Sequence, residues 1–186
     1  MRPTGNPTAR KCLVVAGLLL LMSLTSIGQV QAATALTLTE KYWLTYMREE
    51  EKLARDVYIV LYDRWRLAIF SNISQSEQTH MDAVKALFDR YGLPDPVQDN
   101  TVGAFTNADL RELYLKLTSQ GNSSEADALQ VGVFIEETDI DDLNAGIAST
   151  NRKDIKTVYS NLLQGSLNHL KAFVSTLAKY GVTYEP

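Results

Sequence analysis

From residue 40 onward, apolar side chains recur at spacings of three and four, and no stretch alternates with the two-residue period of a strand. Leu44, Met47, Glu51, Ala54, Tyr58 and Leu61 form one such stripe, with Trp43, Leu53 and Val57 beside it. No Gly or Pro interrupts from Glu40 to Phe70, so the pattern predicts one long first helix, capped by Thr39. Ser71 to Ser74 reads as a turn and N-cap, and Glu77 completes a capping-box pattern with Ser74. A second helix is predicted over about 75–91, stopped by Gly92, Pro94 and Pro96.

After an unpatterned stretch over 95–106, Thr106 or Asn107 caps a shorter helix whose stripe of Leu110, Leu113, Tyr114 and Leu117 ends at Gly121. Ser123 or Ser124 opens a third long helix carrying Ala128, Leu129, Val133, Phe134, Glu136, Glu137, Ile140 and Leu143. The last helix covers about 152–179, with Val158, Leu162, Leu163, Ser166, His169, Leu170, Phe173 and Leu177 on its apolar side. The expected fold is an all-α bundle of four long helices and one short one. The long connection between the second and third long helices leaves room for a crossover.

The first 32 residues do not fit this pattern. Arg2, Arg10 and Lys11 precede an almost wholly apolar run from Cys12 to Ile27, and Val30-Gln31-Ala32 sets small residues three and one before a cut. The segment reads as a secretory signal peptide cleaved near Ala32, giving a periplasmic or extracellular protein; an uncleaved anchor is the rival reading. Its removal takes away three basic and no acidic residues, so the formal charge goes from −4 to −7. Such an acidic chain is a poor ligand for nucleic acid. The single cysteine, Cys12, leaves with the segment, so a metal site would rest on carboxylates and imidazoles, which suit iron, manganese or zinc.

Each long helix carries a metal-competent residue on its apolar stripe: Glu51 with Glu50 adjacent, Glu77 with His80, Glu136 or Glu137, and His169. Glu77 and His80 stand at i and i+3, about 5–6 Å apart at Cβ, so they share one helix face. Glu is rarely buried unless paired, and these stripes contain no Lys or Arg to pair with it. The competing reading of Glu77 and His80 is a capping Glu and a core histidine. The run Glu49-Glu50-Glu51 is at first sight a solvated face, with one or two of its members turned inward and Glu51 favoured. Glu137 is favoured over Glu136 by its apolar neighbours Val133, Phe134 and Ile140, while Asp139, Asp141 and Asp142 are expected to face solvent or to support the ligands. Tyr58 is read most simply as a core aromatic, like Tyr46, Tyr62, Trp43 and Trp65, the alternative being a further hydrogen-bonding or redox role beside the site.

These residues resemble the ferritin-like di-iron carboxylate proteins, in which two helices each give a Glu and two give a Glu-x-x-His, all projecting into the bundle. The runs 49–58, 136–143 and 165–170 are similar to the ferritin-like domain-of-unknown-function 2202 family, over about residues 38–182. The resemblance implies a ferritin-like four-helix bundle domain at 38–182, with an extra short helix on its one long crossover. It further implies metal ligands Glu51, Glu77, His80, Glu137 and His169, holding one or two ions of iron or manganese. One position departs from the pattern: Ser166 stands three residues before His169 where a Glu is expected.

The function expected is that of an exported metalloprotein with oxidase or peroxidase-type chemistry. Its partners would be a metal ion and dioxygen or peroxide, and a homodimer is compatible with the bundle. The alternatives are a non-catalytic metal-sequestering protein and a metal-free structural bundle; without a cation, Glu51, Glu77 and Glu137 would lie together and repel.

Overall fold

The computed structural model describes residues 35–184; the signal segment expected at 1–32 lies outside them. Among the described residues there are five α-helices and no strand. They are α1 (Leu38–Trp65), α2 (Ala68–Tyr91), α3 (Ala108–Gly121), α4 (Glu125–Ala148) and α5 (Lys153–Leu177), followed by a short 3-10 turn at Ala178–Tyr180. None is long and apolar enough to cross a membrane.

The N-cap of α1 is Thr37 rather than Thr39. Thr37 Oγ1 accepts from the Glu40 amide at 3.1 Å, and the Glu40 carboxylate accepts from the Thr37 amide at 2.8 Å, closing a capping box. Glu40 also accepts from Thr150 Oγ1 at 2.6 Å and Arg152 Nε at 3.1 Å, which fastens the start of α1 to the α4–α5 turn.

The break between α1 and α2 falls at Arg66-Leu67, before the expected turn at Ser71 to Ser74, which is helical. Arg66 takes a left-handed conformation, φ 57°, and its amide donates to Tyr62 O at 2.8 Å. A non-glycine residue in this region gives the sequence no stop signal. Ser74 consequently lies within α2, its hydroxyl donating to Ser71 O, and it caps nothing. The later helices start where the sequence places their caps: Asn107 Oδ1 accepts from the amides of Asp109 and Leu110, and Ser124 Oγ from that of Asp127.

Two apolar clusters form the core. One gathers Tyr58, Leu61, Phe70, Leu129 and Phe173; the other gathers Leu44, Met47, Val84, Leu143, Tyr159 and Leu162. Along each of α1, α2, α4 and α5, the residues of one cluster are separated from those of the other by polar positions: 50–51, 77–80, 136–139 and 166–169. A polar layer thus lies between two apolar ones. Close helix approach at its flanks is set by Gly132, where an added Cβ would lie 2.5 Å from the Phe173 ring, and Gly146, where it would lie 2.9 Å from Tyr159.

The charged run of α1 is buried throughout, contrary to its reading as a solvated face. Glu49 accepts from the amides of Thr106 and Asn107, holding the start of α3. Arg48 donates to both carboxylate oxygens of Asp95, at 3.1 and 3.0 Å. Lys52 donates to Asp56 at 2.5 Å and to Thr101 O at 2.8 Å, and its ammonium lies 4.6 Å from the Phe105 ring centre. Arg55 donates to Asp56 at 2.7 and 2.9 Å. The segment between α2 and α3 therefore covers one side of α1, and its backbone carbonyls and amides satisfy the charges beneath it.

Candidate metal centre

Four of the five expected ligands converge in the polar layer. His80 Nδ1 lies 2.7 Å from Glu77 Oε2 and 3.1 Å from Glu51 Oε2. His169 Nδ1 lies 2.9 Å from Glu77 Oε1 and 3.4 Å from Glu136 Oε2. Two groups of three result, Glu51-Glu77-His80 and Glu77-Glu136-His169, each with its ligand atoms within 4.8 Å of one another. Glu77 belongs to both, one oxygen to each imidazole. The two rings lie nearly parallel, with centroids 5.5 Å apart and planes inclined by 27°.

The fifth expected ligand, Glu137, stands elsewhere. It is half-buried and accepts a hydrogen bond from the Tyr184 hydroxyl, while Glu136 points into the layer, 1 % exposed. The misleading signal was Phe134, counted as an apolar neighbour of Glu137 but 45 % exposed. The spacing of Glu136 to Gly132, Leu129 and Leu143, all buried, marks the inward face.

Of the supporting groups, Ser76 and Gly165 were not singled out by the pattern, whereas Tyr58 and Asp139 were. Ser76 Oγ lies 2.9 Å from His169 Nε2. Tyr58, fully buried, donates to Glu136 Oε1 at 2.7 Å, and burial with the Glu136 charge beside it drives its phenol well above the usual range. Gly165 faces His80, leaving no room for a side chain: an added Cβ would sit 2.5 Å from Nε2. Asp139 is not solvent-facing but 5 % exposed, and it accepts from Ser166 Oγ at 2.5 Å. Asp141 is exposed and Asp142 half-buried.

Burial and charge act in opposite directions on these groups. Burial pushes the Glu77 carboxyl up, but the two imidazoles beside it outweigh that and hold it down at about 2. Burial likewise disfavours the His80 and His169 cations, yet Glu51 with Glu77 raises the first to about 11, and Glu136 with Glu77 raises the second to about 10. Glu51 is pushed up to about 7 by burial, against the pull of His80. Glu136 is pushed up to about 7 by burial and the Glu77 charge, against the pull of His169 and Tyr58. Of the three carboxylates expected to lie together and repel, Glu51 is raised, chiefly by burial, Glu77 is lowered, and Glu137 stands outside the layer, where Glu136 takes its place.

The short ion-pair distances do not satisfy every ligand atom. Glu51 Oε1, Glu77 Oε1 and His169 Nδ1 are buried without a directed hydrogen bond, although the last two are only 2.9 Å apart. Glu77 Oε1 and His169 Nδ1 thus approach closely without hydrogen-bond alignment.

The chain is 56 % identical over 147 residues to the uncharacterized protein MJ0754 of Methanocaldococcus jannaschii, an alignment spanning 79 % of this chain and 80 % of that one. The crystal structure of hypothetical protein MJ0754 from Methanococcus jannaschii DSM 2661 superposes with a TM-score of 0.81 at 53 % identity, covering 83 % of this chain and 88 % of the other. A DUF305 fragment from Deinococcus radiodurans shares the fold alone, with a TM-score of 0.58 at 14 % identity over 78 % of this chain and 99 % of the fragment. Residues 40–186 match the family described as an uncharacterized protein domain, DUF2202, and the chain belongs to that family.

Proposed function

We propose that the protein is an exported ferritin-like metalloprotein that holds iron or manganese within a four-helix bundle of α1, α2, α4 and α5, with α3 carried on the crossover between α2 and α4. Glu51, Glu77 and His80 would hold one ion, and Glu77, Glu136 and His169 a second. The observation that carries the reading is the set of buried ligand atoms, Glu51 Oε1, Glu77 Oε1 and His169 Nδ1, that lack directed partners inside both groups. Carboxylate oxygen and imidazole nitrogen without thiolate fit these two metals. For export, the support is the basic-then-apolar order of residues 2–27 and the small residues before position 33.

Iron or manganese in such a site supplies one-electron chemistry toward dioxygen or peroxide. The chain's own residues bind and orient. Glu77 offsets charge at both positions through its two oxygens. Ser76 fixes the His169 ring through Nε2, which leaves Nδ1 turned to Glu77 and Glu136. Tyr58 holds the Glu136 carboxylate, and its ring, packed at a tilt against Phe70 and Phe173, keeps water from that side of the layer.

Metal analysis of protein produced with iron or manganese in the medium tests this. Wild type should retain metal, and a His80→Ala, His169→Ala double variant should not; equal, negligible metal in both overturns the reading. Faster oxidation of added ferrous iron than in a metal-free control marks turnover, while a bound but inert metal marks sequestration. One observation favours a metal-free bundle instead: Glu77 lies within ion-pair distance of both imidazoles, so the layer has internal charge partners of its own.

A further inference from the structure

Beyond the two groups of three, the polar layer buries two more carboxylates that no Lys or Arg among the described residues pairs with. Glu50 and Asp139 are each 5 % exposed, and Glu50 Oε2 and Asp139 Oδ1 have no hydrogen-bond partner. The neighbouring bases of α1 are committed elsewhere, Arg48 to Asp95 and both Lys52 and Arg55 to Asp56. Asp139 is held through its other oxygen alone, by the fully buried hydroxyl of Ser166. An unsatisfied buried carboxylate oxygen is costly, and two in one layer call for an explanation.

Their placement supplies one. On α4, Glu136, Asp139 and Asp142 follow at i, i+3 and i+6, a line about 9 Å long at the usual helical rise. Exposure increases along it, with Glu136 and Asp139 buried and Asp142 half-buried. Asp139 stands one turn from Glu136 on α4, and Glu50 stands next to Glu51 on α1. Glu50 also lines a crevice of about 10 Å³ between α1, α3 and α4, together with Leu53, Leu110, Phe134 and Thr138, and among the described residues it is the only charged one there. Such a volume is at the lower limit for one water-sized species, and Phe134, which lines it, is 45 % exposed.

The geometry points to Glu50 and Asp139 as the entry step for divalent cations, passing them from the α1–α3–α4 crevice to the Glu51, Glu77 and Glu136 carboxylates. This rests on the metalloprotein reading. A cation crossing an apolar crevice must shed water, and a carboxylate oxygen free of other partners replaces that water as it leaves. With Oδ2 tied to Ser166, Asp139 offers only Oδ1 to the passing ion. A single free oxygen binds weakly enough to release it inward, as conduction requires.

Stopped-flow uptake of Co²⁺ by the full chain, followed by its visible absorption, tests the inference. A Glu50→Gln, Asp139→Asn double variant should load about tenfold more slowly than wild type, reach the same number of bound ions, and melt no lower in chelator, since near-isosteric amides remove only charge. Asp142→Asn, half-buried and nearer the surface, should slow uptake by a smaller factor. Unchanged rates in both variants overturn the entry role. A reduced number of bound ions also overturns it, by making Glu50 or Asp139 a ligand. Wild type that takes up no Co²⁺ instead removes the metalloprotein reading on which the inference stands.

Discussion

Ser76 Oγ lies 2.9 Å from Nε2 of His169, bringing a hydroxyl of α2 against the far side of an α5 imidazole whose Nδ1 faces Glu77 and Glu136. A hydrogen bond accepted by Oγ from Nε2–H selects the tautomer with a free lone pair on Nδ1. Loss of such an outer partner lowers metal affinity by about 10–100-fold. Ser76→Ala should accordingly weaken one of two binding steps in a chelator competition while leaving helicity intact. Equal affinity in the variant would show that Ser76 does not orient the ring.

Gly165 bears on the other imidazole. An added methyl would meet His80 Nε2 at 2.5 Å, and His80 cannot retreat without leaving Glu51 and Glu77. Overpacking of this kind costs about 1–3 kcal/mol. Gly165→Ala is expected to lower the melting temperature in chelator and to abolish metal binding by the Glu51-Glu77-His80 group. A variant that melts and binds like wild type would mean that α5 gives way there.

The helices and their polar stripes were legible because Glu51, Glu77, His80 and His169 interrupt apolar spacing of three and four, a signal that survives without tertiary knowledge. The α1–α2 break was not legible, because Arg66 turns left-handed without glycine, held by its amide on Tyr62 O and by its guanidinium 5.3 Å from the Tyr62 ring centre. Nor was the burial of residues 48–56, which depends on residues 95–107 laying carbonyls and amides over α1 from about fifty positions away. Glu136 and Glu137 differ by one helical step of 100°, and an exposed phenylalanine was enough to tip the choice the wrong way.

Asp56 is the centre of that covering network. It accepts from Lys52, Arg55 and the Gly103 amide, and its side chain and that of Lys52 are fully buried. Removing one partner of a buried pair leaves an uncompensated charge, at about 3–5 kcal/mol. Asp56→Ala should lose about that much in urea denaturation, whereas Asp63→Ala, on an exposed pair with Arg66, should change little. A loss at Asp56 no larger than at Asp63 would mean that the covering segment rearranges to admit water.

The carboxylates of the polar layer separate by what surrounds them. With chelator present, Glu77 is the charge that both imidazoles face, so Glu77→Gln should lower the melting temperature. Glu51 and Glu136 are pushed up to about 7, mainly by burial. Between their unfolded values near 4.5 and about 7, the folded chain binds more protons than the unfolded chain, so stability falls as pH rises through that window. His80 and His169, raised to about 11 and 10, stabilise most fully below about 6.5, and that contribution is lost as pH climbs toward those values. Chelated protein should therefore melt progressively lower from pH 5 to pH 9, and Glu51→Gln should flatten the lower half of that slope. Metal binding must displace the same protons, so its apparent affinity should rise with pH over the same range. Thermal melts at a series of pH values, each with chelator and with saturating Mn²⁺, read both trends. Parallel slopes in the two series would mean that the ion does not bind at these residues.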